Sequence, residues 1–318
     1  MGEGQQSLRT VLSERSRTRG SAARPDGEIL IAGGSHDPNI LALIEAATAR
    51  SIPILPLLVG EAAHPSLAWN LDDEVLRIDG ESPGLTAAFV RRDVFHDGTP
   101  GAGYRAATWY TTLQGWLASS PRIRTLNRRY LGRHTNKLHL LRMARDMGLR
   151  VPETVVTNAV GDLAASGGAG EMIAKPVPGG GYCMPVEDLL AGTELRDGVA
   201  ATPAIVQRRL SGPDLRIYRI GRRYAGFRIR SEMLDYRMAR GASTIEPLDS
   251  LPDSLIERLG MLMDAMGLDW GAADFKIGAE GEEEPVFLEV NSDPMFSVFD
   301  RIGKGAITGA MFEMLLEP

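Results

Sequence analysis

A chain of 318 residues is too long for one ordinary core and too short for three full-sized ones, which predicts two or three packed lobes with room for a deep site. A formal net charge of -6 gives no field for wrapping nucleic acid, and no apolar run approaches the roughly 20 residues that cross a bilayer. The single cysteine, Cys183, excludes an intrachain disulfide and a multi-thiolate metal site, and with no apolar signal core at the start a reducing cytoplasm is the expected compartment.

Residues 1–27 are rich in Arg, Ser, Gly and Gln without an apolar period and read as a mobile leader. From Glu28 an apolar run is stopped by Gly33 and Gly34, residues 39–50 follow with helical spacing (Ile40, Leu43, Ile44, Ala47), and residues 52–59 are again strand-like. A further strand and helix are expected within 75–92 and a helix over 109–117, so 28–124 forms an α/β lobe of its own. His36, in the loop after the first strand, is read as a turn residue, with substrate contact as the other reading.

Residues 137–147 carry an apolar stripe and stop at Gly148, a helix terminator, before the extended 151–158. Met172-Ile-Ala-Lys, the glycines 179–181 and Ala204-Ile-Val-Gln follow as strand, loop, strand, so 125–212 reads as a linking helix and a small lobe. In the last lobe, 213–318, strands are expected over 215–220 and 223–231. An amphipathic helix follows over 251–266, packing through Met261, Met263 and Met266. Asp274-Phe-Lys-Ile and Val286-Phe-Leu-Glu-Val then face each other across an acidic glycine turn as a hairpin.

That hairpin carries the most informative chemistry. Residues two apart on a strand share a face, so Glu289 and Asn291 point one way and Asp274 and Lys276 share a face of the partner. In register, Asp274, Glu289 and Asn291 are a cluster of hard oxygen ligands suited to Mg²⁺ that also holds ATP phosphates. A solvated sheet face is the plainer reading, weakened because both strands are otherwise apolar. Lys175 ends its strand just before Gly179, Gly180 and Gly181, whose bare backbone can close over phosphates while the lysine supplies a point charge. Arg228 and Arg230 share a strand face, with Arg237 following, and guanidiniums there can clamp a carboxylate or a transferring phosphoryl group; a solvated basic edge strand is the alternative.

In this order the residues resemble the ATP-grasp carboxylate-amine ligases, most nearly the glutamate ligases that modify ribosomal proteins and the peptide-maturing ATP-grasp enzymes, over about residues 125–318. The resemblance implies an α/β fold with α+β lobes, in which an N-terminal α/β lobe precedes two C-terminal lobes that clamp the nucleotide. It implies that Lys137 and Lys175 bind phosphates under Gly179 to Gly181, that the hinge Gln207, Arg208 to Leu210 reads adenine, and that Asp274, Glu289 and Asn291 hold one or two Mg²⁺ ions. The segment Asp214-Leu-Arg216 and the arginines Arg228, Arg230 and Arg237 are similar to the strands carrying transfer-site arginines. The hinge lacks the usual acidic ribose ligand, a role Asp214 is placed to take, and the common Asn-x-x-Pro-Gly continuation is replaced by Asn291-Ser-Asp-Pro-Met.

The expected activity is ATP-dependent amide or peptide bond formation through an acyl phosphate, releasing ADP and phosphate, with amino acids joined in specialised-metabolite biosynthesis. The alternatives are modification of a peptide or protein side chain, as a macrocyclase or glutamate ligase, and a non-catalytic nucleotide-binding protein. Expected partners are small-molecule amino acid or peptide substrates, with no nucleic acid and no membrane, and the resemblance implies a homodimer. No G-x-x-x-x-G-K-[ST] occurs, and the Ala32-Gly-Gly-Ser turn lacks the spaced glycines of dinucleotide folds.

Overall fold

A computed structural model describes residues 27–60, 64–72, 74–96, 98–164, 171–178, 182–236, 242–277 and 284–317. The expected leader up to residue 26, Gly179, Gly180, Gly181, Arg237 and most of the acidic turn lie outside the described residues.

The chain opens with β1 (Glu28–Gly34), α1 (Pro38–Ala49) and β2 (Ile54–Val59), followed by a small hairpin of β3 (Leu67–Trp69) and β4 (Leu76–Ile78), then β5 (Leu85–Val90) and α2 (Ala102–Ser119). Strands β2, β1 and β5 form a parallel sheet in that spatial order. The helix expected within 75–92 is absent. A turn at Asp79 and Gly80, both at positive φ, and Pro83 divide that stretch into two strands. Helix α2 begins well before Trp109 because its first two turns bury only Ala102 and Ala106, which leave little hydrophobic signal.

After the linking helix α3 (Lys137–Asp146), a second, antiparallel sheet is built from β6 (Thr154–Ala159), β7 (Met172–Pro176), β8 (Met184–Pro185), β9 (Leu195–Arg196) and β10 (Val199–Arg208). Short helices α4 (Val160–Ala164) and α5 (Val186–Ala191) cover one face through Leu163 and Val186, packed on Met172, Ala174 and Val206. Alternation along the strands turns Lys175, Ile205 and Gln207 to the other face.

The third sheet runs β13 (Thr244–Pro247), β12 (Arg223–Arg230), β11 (Asp214–Ile220), β14 (Trp270–Lys276), β15 (Val286–Asn291), all antiparallel. Helix α6 (Asp253–Met266) packs on one face with Leu215, Ile217, Phe275 and Phe287. Met263 and Met266 lie in that contact, whereas Met261 is half exposed and takes no part, contrary to expectation. On the opposite face Tyr218, Phe227 and Trp270 pack against α7 (Ser297–Ile302), α8 (Ala306–Leu316), α1 and the β1 residues Ile29 and Ile31. One continuous core therefore joins the first sheet to the third.

Asn127 pins that junction from the left-handed region at φ 57°, a conformation asparagine tolerates better than most residues. Its Oδ1 accepts from the amides of Asp269 (3.0 Å) and Trp270 (2.8 Å), while Nδ2 donates to Ser292 O at 3.1 Å. Replacing it strands these groups, so Asn127→Ala is expected to cost about 2 kcal/mol. A urea midpoint equal to that of the parent would show that the three bonds contribute nothing net.

Candidate functional site

The site assembles on the third sheet. Asp274 pairs directly with Glu289 across β14 and β15, and with Arg216 across β11 and β14, so all three side chains share a face. Ala272 pairs with Asn291 and Asp214 with Lys276, placing these on the same face too. The hairpin register anticipated from the sequence is thus the one that forms.

A β-bulge makes this possible. Phe275 pairs with Phe287 while Asp274 pairs with Glu289, leaving Leu288 as an extra residue. Phe287 and Glu289 are two apart and would ordinarily share a face; the bulge sends Phe287 into the α6 core, edge-on to Phe275, and Glu289 to the opposite side.

Arg216 is the most deeply buried charge on this face. Its Nη1 donates to both oxygens of Asp274 (3.0 and 3.1 Å) and to the Tyr236 hydroxyl (2.9 Å), and Nε donates to the Tyr218 hydroxyl (2.9 Å). The guanidinium carbon lies 5.3 and 5.4 Å from the ring centroids of Tyr218 and Phe299. Burial works against its charge, but Asp274 and the two phenols outweigh it and hold the pKa well above the usual arginine value. Burial pushes the Tyr236 phenol up, with Asp274 adding to the shift, so it stays a neutral donor and acceptor.

Two lysines approach the carboxylates from other elements. Lys137, the first residue of α3, places Nζ 3.2 Å from Glu289 Oε2; Asn136 holds that helix end by accepting from the amides of Leu138 and His139. Lys175 comes from the second sheet. Burial lowers its pKa, Glu289 and Asp274 oppose the shift, and Lys137 adds to it, so Lys175 feels the charges of all three. Beside them Lys276 Nζ is 3.0 Å from Asp214 Oδ1, and burial raises the Asp214 pKa against the pull of Lys276. Asn291 is exposed, with Oδ1 accepting from the Asp293 amide at 2.9 Å.

Gln207 lies on the Lys175 face of the second sheet and is buried. Its Nε2 donates to Thr154 Oγ1 at 2.9 Å, while Oε1 has no hydrogen-bond partner among the described residues. Arg208, one residue on, faces the opposite side with Met172 and is 3.5 Å from Glu171, both exposed; Leu210 follows the strand, half-buried. His36 lies exposed in the turn after β1, and Cys183 is half-buried just before β8.

Arg228 and Arg230 do not join the cluster. Phe227 pairs with Arg216 and so lies on the site face, which turns Arg228 and Arg230 to the α6 side, where Arg230 meets the exposed Glu246 at 2.9 Å. The sequence fixes that these two share a face, but which face depends on pairing with β11. The arginine the fold brings to the carboxylates is Arg216. The sequence signal for it was slight, because β11 carries two cations, Arg216 and Arg219, on opposite faces, and only the pairing of Arg216 with Asp274 singles it out.

Among the described residues no three His, Cys, Asp or Glu side chains form a complete metal cage. Two carboxylates and an asparagine are nonetheless a fitting protein share for Mg²⁺, which keeps several waters and takes its other ligands from phosphates. Removing Asp274 leaves Arg216 buried beside a neutral partner, so Asp274→Asn is expected to destabilise the protein by about 3 kcal/mol, whereas Arg230→Ala, at an exposed pair, should cost at most about 0.5 kcal/mol. Chemical denaturation of the two variants checks this ordering, and equal midpoints would refute it.

No protein-family model and no curated protein matches the sequence. Solved structures do match in fold. The ATP-grasp ligase PsnB, in complex with a minimal precursor, Mg and ADP, superposes with a TM-score of 0.69 at 22% identity over 94% of this chain and 100% of that one. Macrocyclase MdnC from Microcystis aeruginosa MRC, bound to precursor peptide MdnA, gives 0.69 at 21% identity over 92% and 100%. VanG D-Ala:D-Ser ligase from Enterococcus faecalis gives 0.58 at 16% identity over 91% and 97%.

Proposed function

We propose, on the premise of the ATP-grasp fold shared with these ligases, that the protein is an ATP-dependent carboxylate-amine ligase acting on a peptide. The observation that carries the reading is the convergence of Asp274, Glu289, Lys137, Lys175 and Arg216 from three separate parts of the chain onto one face. A binding protein needs no buried guanidinium beside its metal ligands, whereas phosphoryl transfer between anions needs charge cancelled on both sides of the reacting phosphorus.

A substrate carboxylate oxygen attacks the γ-phosphorus of ATP, the bond to ADP breaks, and an acyl phosphate forms. An amine then attacks the acyl carbon, loses a proton and expels phosphate, leaving the amide. Lys137 and Lys175 are positioned to neutralise the nucleotide phosphates. Arg216, fixed by Asp274 and two tyrosines, presents positive charge where the acyl phosphate collects negative charge. Asp274, Glu289 and Asn291 would hold Mg²⁺, which supplies Lewis-acid stabilisation of the phosphates. The buried Gln207 Oε1, without a partner among the described residues, fits a hydrogen-bond donor, and the exocyclic amine of adenine is one that ATP offers. Asp214, held by Lys276 on the same sheet face as Asp274, would serve as a ribose acceptor.

A peptide is preferred over two free amino acids because similar folds are found with precursor peptides bound and align over nearly the whole of both chains. The amino acid ligase aligns less closely.

Enzyme, MgATP and candidate peptides with hydroxylamine should give a hydroxamate and an equal amount of ADP, read by mass spectrometry; AMP release would overturn the acyl-phosphate route. Glu289→Ala should lose at least about a hundredfold in turnover, since metal catalysis supplies several kcal/mol of transition-state stabilisation. Turnover equal to the parent would remove the metal assignment.

A further inference from the structure

The segment between Asn291 and α7 belongs to no strand or helix, and side chains from elsewhere satisfy its main chain one residue after another. Asn127 takes Ser292 O. Arg91 Nη1 donates to Asp293 O (2.9 Å) and Pro294 O (3.0 Å), and the Tyr218 hydroxyl donates to Met295 O. Asn39 Oδ1 then accepts from the amides of Phe296 (2.7 Å) and Ser297 (2.9 Å). Arg91 and Asn39 come from the first lobe, more than two hundred positions away in sequence.

Both are held rigidly. Arg91 follows β5, and its Nε donates to Asp37 Oδ2 at 2.7 Å while Nη1 also contacts the Asp293 carboxylate. Asp37 Oδ1 in turn accepts from the amide (2.8 Å) and the side-chain Nδ2 (2.7 Å) of Asn39. Asp37 and Asn39 are fully buried and Arg91 nearly so. Burial opposes the Arg91 charge, but Asp293 and Asp37 more than compensate, so the cation is permanent. Desolvating a guanidinium to hold two carbonyls is costly for a loop that needs only to turn back toward the core.

The end of this clamped segment is the metal site. Asn291 Oδ1 already accepts from the Asp293 amide, so the main-chain position that Arg91 gives Asp293 sets the aim of the Asn291 side chain, whose oxygen retains a second lone pair.

We propose that Arg91 and Asn39 are positioning residues for the metal site: the first lobe aims Asn291, and through it the divalent ion, by gripping the backbone of residues 293–297. The inference rests on the ligase reading above. It assigns to the first lobe a part in metal binding that neither lobe contact nor core packing requires.

The test is titration of Mn²⁺ into the full chain with fluorescent ADP, for the parent, Arg91→Lys and Asn39→Ala, beside ADP binding in EDTA. Loss of an orienting partner of a metal ligand is expected to raise the half-saturating Mn²⁺ concentration about tenfold or more, with ADP affinity in EDTA unchanged within about twofold. Unchanged Mn²⁺ dependence, or equal losses with and without metal, would overturn the proposal. If Arg91→Lys does not fold, Asn39→Ala decides, since it leaves the Arg91 ion pairs in place. A parent without metal-dependent ADP binding would overturn the ligase reading together with this inference, whereas a binding parent with unaltered variants would sink the positioning role alone.

Discussion

A guanidinium buried within a sheet has few ways to exist, and the architecture around Arg216 follows from meeting its demands. Asp274 must stand directly opposite on β14, and the Tyr218 and Tyr236 hydroxyls must close the remaining donor directions. Once Asp274 is fixed, its cross-strand neighbour on β15 is Glu289. Two adjacent carboxylates repel unless cations lie on both sides. Arg216 supplies one side, and Lys137 and Lys175 the other. The pairing that stabilises the sheet and the charge pattern that suits phosphoryl transfer are therefore the same arrangement. Breaking one partner exposes the full desolvation penalty of the other.

Each part of the fold contributes a different kind of control to that face. The second sheet offers Lys175 and the buried amide of Gln207 on one surface and keeps its apolar packing on the other, so it can approach the third sheet without disturbing its own core. The first sheet is packed against the third through Ile29, Ile31 and α1, and grips the segment beyond Asn291 with polar groups instead of apolar ones. Apolar contact holds lobes together with little directional preference, whereas a row of hydrogen bonds specifies where a backbone lies to within a fraction of an ångström.

Much of this was legible in the sequence because it is local. The final hairpin, the shared face of Asp274 and Lys276, the stop at Gly148 and the strand that carries Lys175 one residue before its end are all written in short-range periodicity and punctuation. What escaped depends on distant pairing. The two-residue period groups Arg228 with Arg230 but cannot say whether they face the carboxylates or α6; the partner register on β11 decides. The grip of Arg91 and Asn39 on residues 293–297 leaves no periodic trace at either end. The early turns of α2 bury alanines, and a helix start without bulk or a capping side chain is silent. The fold class, by contrast, was carried by the order of elements and needed none of these details.

The extra residue at Leu288 has a consequence for how this strand can change over time. Removal of that residue alone would leave Phe287 and Glu289 adjacent, where ordinary alternation already sends them to opposite faces, so the strand can lose one residue here and keep each side chain on its side. Loss of the bulge at unchanged length would instead carry the Glu289 carboxylate to the oily side of Phe287 and Phe275. A one-residue gap at this point is thus compatible with the same two faces, and a comparison of related chains that forbids gaps inside the strand would match Glu289 to a residue of the wrong side.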